Sequence, residues 1–228
     1  MKVGAIIAAA GRGRRMNSPM NKQFMELGKR PILAHTLEKF DHCPDIDCID
    51  IVVPQEWLLY VAENIVDKFN IAKVRKIVIG GATRQESVFA ALKAIDENIR
   101  YVAIHDAVRP LLSQNLLLEV LHRGMETGAA ILALPVRDSL KKINNGKVER
   151  TLDRSSIWLA QTPQVFERNL IVQAHEQAFR DQYFAADDSV LVERLGHPVC
   201  VVASNFMNFK ITTPEDLEIA KYLITEVK

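Results

Sequence analysis

Three short stretches hold the residues best able to do chemistry. AIIAAAGRGRRM, at 5–16, ends an apolar run at Gly11 and follows it with Arg12, Gly13, Arg14 and Arg15. GGATRQES, at 80–87, pairs two glycines with Arg84 and Ser87. HDAVRP, at 105–110, sets Asp106 and Ala107 before Arg109. A fourth group, Lys210 in NFKITTPEDL, stands just before a helical pattern and reads either as a solvated lysine or as a fourth charge for a site. A glycine turn lets backbone N–H groups approach phosphate oxygens. A guanidinium forks such oxygens and an ammonium acts as a point charge, roles open to Arg15 and Lys22. Asp106 could hold a ribose hydroxyl or Mg²⁺.

The opening loop fits two familiar phosphate motifs badly. A dinucleotide fingerprint needs a third glycine and an acid about 20 residues on. Met16 occupies the third position, and the first acid after Leu33, Ala34 and His35 is Glu38. A P-loop signature is absent. A plain tight turn with solvated arginines and a phosphate-binding loop both remain open on spacing, and position favours the second: ligands of open parallel sheets sit at strand carboxyl ends. No serine sits in a G-x-S-x-G elbow, so a Ser-His-Asp hydrolase is unsupported. His105 reads as a satisfied core histidine. Basic strand-end loops with one Asp and no nucleophile suit nucleotidyl transfer, in which the protein supplies position and charge and a substrate phosphate attacks.

Such loops need a parallel sheet behind them. Strand candidates are VGAIIAA (3–9), CIDIVV (48–53), VRKIVI (74–79), YVAIH (101–105), AAILAL (129–134) and HPVCVVA (197–203). They are β-branched and apolar on both faces, as a covered parallel sheet requires. Helical patterns lie between them. One places Val88, Ala91, Leu92 and Ile95 on a single face, one starts at Pro31, and one runs from Pro214 with a capping-box pair, Thr213 and Asp216. The alternation predicts a three-layer α/β sandwich in a single domain over 1–228. PVRDSLKKINNGKVERTLDRSSIW (135–158) breaks the rhythm. Its Asn145-Gly146 pair between strand-like flanks predicts a β-hairpin, read as a solvated surface feature or as an arm toward a partner subunit.

The bulk properties exclude several classes. The chain has 228 residues, 48% hydrophobic and 25% charged, which suits a folded domain rather than disorder. Its formal net charge of +1 provides no global field for nucleic acid or a membrane surface. Basic charge is local: residues 11 to 30 hold six basic side chains against one acid, Glu26. Three cysteines without metal spacing read as reduced thiols. No apolar run approaches the roughly 18 residues of a membrane span, and no signal pattern opens the chain. The expectation is a soluble cytoplasmic protein.

In order along the chain, AAAGRGRRM with Lys22-Gln23, GGATRQES, HDAVRP, PVRDS, TLDR, QTPQ and NFKITTPEDL resemble the motifs of the 2-C-methyl-D-erythritol 4-phosphate cytidylyltransferases. The resemblance implies a Rossmann-like nucleotidyltransferase fold with a protruding hairpin arm at about 136–160. It implies a homodimer joined by that arm, CTP and a polyol phosphate as substrates, Mg²⁺ as cofactor, and a place in non-mevalonate isoprenoid synthesis. By matching position, Ala9, Ala10 and Gly11, with Gly81, Arg84 and Ser87, would hold cytosine. Gly13, Arg15 and Lys22 would bind the triphosphate, and Lys210 would stabilise charge at the α-phosphate. Asp106, beside Ala107, would touch ribose or the metal. Arg109, Ser139 and Arg154 would grip the polyol phosphate, the last two in a neighbouring subunit's site, and Thr162 would lie near it. Ser139 stands where the family commonly has threonine and keeps the hydroxyl. Ala186 replaces a common substrate-contacting threonine and loses it.

Three rivals stand beside this reading, two of them from other classes. The related ribitol-5-phosphate cytidylyltransferases share HDAVRP and the K-I-T-T-P ending, but more often open A-G-G and lack a close match to TLDRSSIW. A non-catalytic nucleotide-binding module would bind CTP without releasing pyrophosphate, and the presence of Arg15, Lys22, Asp106 and Lys210 argues against it. A nicotinamide-dependent oxidoreductase is disfavoured by Met16 and the missing acid.

Overall fold

The first strand, β1 (Val3–Ala8), sends alternate side chains to opposite faces: Val3, Ala5 and Ile7 enter one core, Ile6 the other. That two-sided burial is why its sequence reads as a continuous apolar run. A computed structural model describes residues 1–11 and 21–226, with side chains through 224. After β1 come β2 (Glu26–Leu27), β3 (Arg30–Pro31), α1 (Ile32–Asp41), β4 (Cys48–Val53), α2 (Leu58–Val61), β5 (Val74–Ile79), α3 (Arg84–Ala94) and β6 (Tyr101–Asp106). The second half holds α4 (Gln114–Thr127), β7 (Ala129–Pro135), β8 (Leu140–Asn144), β9 (Lys147–Leu152) and β10 (Trp158–Glu167). It ends with α5 (Arg168–Arg180), α6 (Asp188–Arg194), β11 (Cys200–Ala203) and α7 (Pro214–Glu226).

Among the described residues, seven strands form the central sheet in the order β11-β7-β10-β6-β1-β4-β5. Every neighbouring pair is parallel except the two made by β10. Helices α1, α2 and α4 cover one face through residues such as Leu37, Phe40, Val61 and Leu117. Helices α3, α5 and α6 cover the other through Val88, Leu92, Ile171 and Leu191. Burying each such side chain stabilises the fold by about 1.5–3 kcal/mol. The three-layer α/β expectation is correct. Helix α7 packs separately, with Leu217 and Ala220 against Leu27, Ile32 and Val108 at the carboxyl end of the strands.

Local chemistry explains the boundaries. The α7 start is a reciprocal cap: Asp216 N–H donates to Thr213 Oγ1 at 3.3 Å, and Thr213 N–H to Asp216 Oδ2 at 2.9 Å. The helix expected from Pro31 begins one residue later, with Pro31 as its cap. In the hairpin, Asn145 (φ 49°) and Gly146 (φ 74°) both take the left-handed conformation, the type I′ requirement that the Asn-Gly pair meets. Strands β8 and β9 pair with each other and not with the central sheet, and the arm is largely exposed.

One strand of the central sheet escapes the sequence reading. β10 lies antiparallel between β6 and β7, near the middle of the sheet. Three of its six buried positions carry Gln161, Thr162 and Gln164, so no long apolar run announces it. The glutamines are satisfied internally: Gln161 Oε1 accepts from Ser204 Oγ (2.7 Å) and Asn208 Nδ2 (2.9 Å), and Gln164 Oε1 accepts from the Asp188 and Ser189 amides. The arm is therefore shorter than 136–160, because Trp158 to Ala160 already pair with β7. The last strand is also shorter than expected, running from Cys200 rather than His197.

Candidate active site

A cavity of about 680 Å³ opens above the carboxyl ends of β1, β5 and β6. Strand β1 lies between β4, which follows it, and β6, which comes later. The chain thus switches direction beside it, the place where open α/β sheets bind ligands. One wall is backbone: Ala9, Ala10 and Gly11 after β1, and Gly81 and Ala82 after β5. The other wall is charged, with Lys22, Arg84, Asp106 and Lys210.

The backbone wall is pinned from behind. Ala9 N–H donates to Val52 O at 2.8 Å. Gln23, buried, donates from Nε2 to Ala9 O at 2.6 Å and to Gly11 O at 3.0 Å. These bonds occupy the carbonyls of the turn. Opposite, Ser87 Oγ accepts from Gly81 N–H at 3.1 Å and donates to Thr83 O at 2.7 Å. Thr83 caps α3 by accepting from Glu86 N–H, and Glu86 Oε2 accepts from Ala82 N–H. The two walls meet at Gly80: a Cβ there would fall 2.5 Å from Ala10 Cβ and 2.8 Å from Ser87 Oγ, so only glycine permits the approach.

Asp106 is the hub of the charged wall. Its Oδ1 receives Arg84 Nε at 3.2 Å; its Oδ2 receives Lys210 Nζ at 2.9 Å and faces Arg109 Nε at 3.5 Å. Burial opposes its ionisation, but Arg84, Lys210 and Arg109 together outweigh that and hold the carboxyl well below the usual range. Beneath it, Thr162 Oγ1 accepts from Asp106 N–H at 3.1 Å and meets His105 Nδ1 at 3.0 Å. His105 Nε2 lies 3.3 Å from Arg109 O, and a carbonyl only accepts, so Nε2 carries the proton and Nδ1 accepts from the threonine. Burial pushes the His105 pKa down to about 3, consistent with a neutral ring. His105 is the satisfied core histidine its position suggested.

Lys210 reaches the hub because its segment is tied down on both sides. Arg109 Nη1 donates to Asn208 O at 2.7 Å, and Asn208 Nδ2 donates to Gln161 Oε1 and Thr162 O, each at 2.9 Å. Ile211 N–H donates to Val108 O, and Lys22 Nζ donates to Ile211 O at 3.1 Å. The solvated-lysine reading of Lys210 is thereby excluded.

Ten of the expected residues converge on the cavity: Ala9, Ala10, Gly11, Lys22, Gly81, Arg84, Ser87, Asp106, Ala107 and Lys210. Gly13 and Arg15 lie outside the described residues. Arg109 and Thr162, expected on the polyol phosphate, do not line the cavity; both are buried and bound to the protein partners named above. Ser139 and Arg154 are exposed on the arm, where Arg154 donates to Arg137 O. Sequence reasoning gave no role to His175 and Asp188, whose polar types gave no sign of burial, and quoted Gln164 only within QTPQ. It quoted Gln23 only within a motif. Among the described residues no cluster of three or more His, Cys, Asp or Glu could cage a metal, and no helix is long and apolar enough to cross a membrane.

The model of the 2-C-methyl-D-erythritol 4-phosphate cytidylyltransferase family matches residues 3–226. The chain is 45% identical over 221 residues to the enzyme of that name from Syntrophus aciditrophicus, covering 96% of this chain and 94% of the relative. It is 42% identical over 223 residues to the one from Clostridioides difficile, covering 98% and 94%. Among solved structures, 4-diphosphocytidyl-2C-methyl-D-erythritol synthase from Anaerococcus prevotii superposes with a TM-score of 0.86 at 32% identity, over 98% of this chain and 96% of that one. The cytidylyltransferase from Thermus thermophilus gives a TM-score of 0.82 at 34% identity, over 99% and 100%. With its fold and nearly its whole length in agreement, the chain belongs to the 2-C-methyl-D-erythritol 4-phosphate cytidylyltransferase family.

Proposed function

We propose that this protein joins CTP and 2-C-methyl-D-erythritol 4-phosphate, releasing pyrophosphate and forming 4-diphosphocytidyl-2-C-methyl-D-erythritol, a precursor in non-mevalonate isoprenoid synthesis. The observation that carries the reading is the pairing of a backbone-lined wall with two lysines, Lys22 and Lys210, on one cavity beside Asp106. Backbone donors and acceptors suit a flat base; ammonium groups suit a triphosphate. Ala9, Ala10, Gly11, Gly81, Arg84 and Ser87 are assigned to cytosine. Lys22 is assigned to the triphosphate, with Gly13 and Arg15 alongside it, and Lys210 to the α-phosphate.

An oxygen of the second substrate's phosphate attacks the α-phosphorus in line, and pyrophosphate leaves. That oxygen is already ionised near neutral pH, so no general base is required. Lys22 and Lys210 stabilise the charge that gathers on the transferring group. Asp106 would be the carboxylate to hold Mg²⁺, exchanging its contact with Lys210, the most exposed of its three cationic partners, for the ion, which commonly takes one or two carboxylates with phosphate oxygens and water. Bound there, the ion would neutralise phosphate charge. The functional unit is a cytoplasmic homodimer whose arms carry Ser139 and Arg154 to the partner's substrate.

Pyrophosphate release by the purified protein with CTP and Mg²⁺ tests the reading. Fast release is expected with methylerythritol 4-phosphate and little with ribitol 5-phosphate. Release with ribitol 5-phosphate alone would keep the chemistry and overturn the substrate; CTP binding without release would favour a non-catalytic module.

A further inference from the structure

Arg84 is held by two acids, and only one of them belongs to the cavity. Its Nε meets Asp106 at 3.2 Å, while its Nη1 meets Asp188 Oδ2 at 2.7 Å, the shorter contact. Asp188 lies in the first turn of α6, is buried, and does not line the cavity. Its other oxygen, Oδ1, accepts from His175 Nε2 at 3.1 Å. His175 is a fully buried residue of α5, stacked on Phe89 of α3 with ring centroids 5.6 Å apart. Burial opposes ionisation of Asp188, but Arg84 and His175 outweigh it and hold the carboxyl below its usual range. The backbone is fixed as firmly. Gln164 accepts from the Asp188 and Ser189 amides. Gln85, beside Arg84, donates to Tyr183 O at 3.0 Å and accepts from Ala185 N–H at 2.9 Å.

Buried charges are costly unless paired, and a buried carboxylate that links a buried histidine to a guanidinium on a cavity wall needs a reason. The proposed mechanism gives Asp188 and His175 no task. Around Asp106, Arg84 competes with Lys210 and Arg109 for two oxygens. Asp188 supplies the second anchor that keeps the guanidinium at the cavity wall rather than collapsed onto Asp106. His175 fixes the orientation of that anchor, as an outer hydrogen bond orients a ligand-bearing group.

We propose that Asp188, oriented by His175, is a positioning residue that sets nucleotide affinity through Arg84. The proposal rests on the nucleotide reading of the cavity. It also means that α5 and α6, on the far side of Arg84 from the nucleotide, are coupled to its binding.

His175 permits a test that separates this role from packing. His175→Phe keeps the ring on Phe89 and removes the donor to Asp188; His175→Gln restores a donor without the aromatic stack. Titration calorimetry with CTP and Mg²⁺, without second substrate, reads the affinity directly. For His175→Phe, Kd and the KM for CTP should rise roughly 5- to 50-fold, the range of a lost hydrogen bond to a charged group passed on in part. Turnover at saturation should stay within about 3-fold, and His175→Gln should recover most of the affinity. Asp188→Asn, nearly isosteric, should weaken CTP in the same way and provides the reading if His175→Phe does not fold. Wild-type CTP affinity in both folded variants overturns the proposal, as does a His175→Gln protein as weak as His175→Phe. A wild-type protein that binds no CTP overturns the nucleotide reading itself.

Discussion

Lys210 Nζ and Asp106 Oδ2 form a 2.9 Å ion pair across 104 residues of chain, between the segment after β11 and the end of β6. The lysine is about one-third exposed at 34%, the carboxylate nearly buried at 10%. That asymmetry separates their roles. Removing Lys210 leaves Asp106 paired with Arg84 and Arg109, whereas removing Asp106 takes the facing acid from the nearly buried Arg109, while Arg84 keeps Asp188.

The two alanine variants should therefore differ in kind. Lys210→Ala should lower turnover roughly 10²- to 10³-fold, the scale of one lost electrostatic stabiliser, with thermal stability nearly unchanged. Asp106→Ala should lose activity and also destabilise the fold by about 3–5 kcal/mol, the cost of orphaning buried charge. Steady-state rates and chemical denaturation of both proteins decide the matter. Equal stability losses, or a Lys210→Ala enzyme with normal turnover, would contradict these roles.

Asp50 poses a different electrostatic problem, away from the cavity. It is buried on β4, and burial pushes its pKa up from the ordinary carboxylate value to about 6, with Lys76 opposing and Asp96 adding to the rise. A folded-state pKa above the unfolded one means the native state binds the extra proton. Its favourable contribution is complete below the unfolded pKa near 4 and is lost as pH rises through about 6. Asp50→Asn removes that loss. The variant should gain on the order of 1–3 kcal/mol over wild type between pH 4 and pH 7. Denaturation curves at several pH values measure the difference. A constant gap across this range would show that ionisation of Asp50 is not the source.

The places where sequence and structure part company share one physical cause. β1 and β4 are legible because nearly all of both their faces is apolar and buried, and the Asn145-Gly146 turn is legible because few residue pairs accept its backbone. β10 is as central as either strand, yet Gln161, Thr162 and Gln164 take three of its six buried positions. Their burial is tolerated only because Ser204, Asn208, His105 and the amide of Asp188 complete their hydrogen bonds. Those partners come from distant parts of the chain, and spacing alone does not reveal them. The site follows the same rule. Glycines and basic residues at strand ends mark Gly81, Arg84, Asp106 and Lys22 in advance. Asp188 and His175, which hold Arg84 from behind, carry no local pattern that distinguishes them from surface residues.

The arm offers a prediction about assembly. Ile143 and Val148 are cross-strand partners on β8 and β9, exposed at 55% and 60%, and Leu159 at the start of β10 is exposed at 55%. An exposed two-stranded ribbon is marginal alone in water and gains when its apolar side chains are covered by another surface. If the proposed homodimer forms through these side chains, Ile143→Glu with Val148→Glu should convert it to a monomer in sedimentation or light scattering. The central sheet does not depend on β8 and β9 for its pairing, so the circular dichroism spectrum should be retained. Activity should fall with dissociation, because Ser139 and Arg154 would no longer reach a neighbouring cavity. Mixing an Arg154→Ala protein with a Lys210→Ala protein then separates action within a subunit from action across the interface. In a mixed dimer each chain carries one defect, and one of the two sites combines an intact Lys210 with an intact Arg154 from its partner. Recovery of activity on mixing means Arg154 works across the interface. No recovery, with subunit exchange demonstrated, means it serves its own chain.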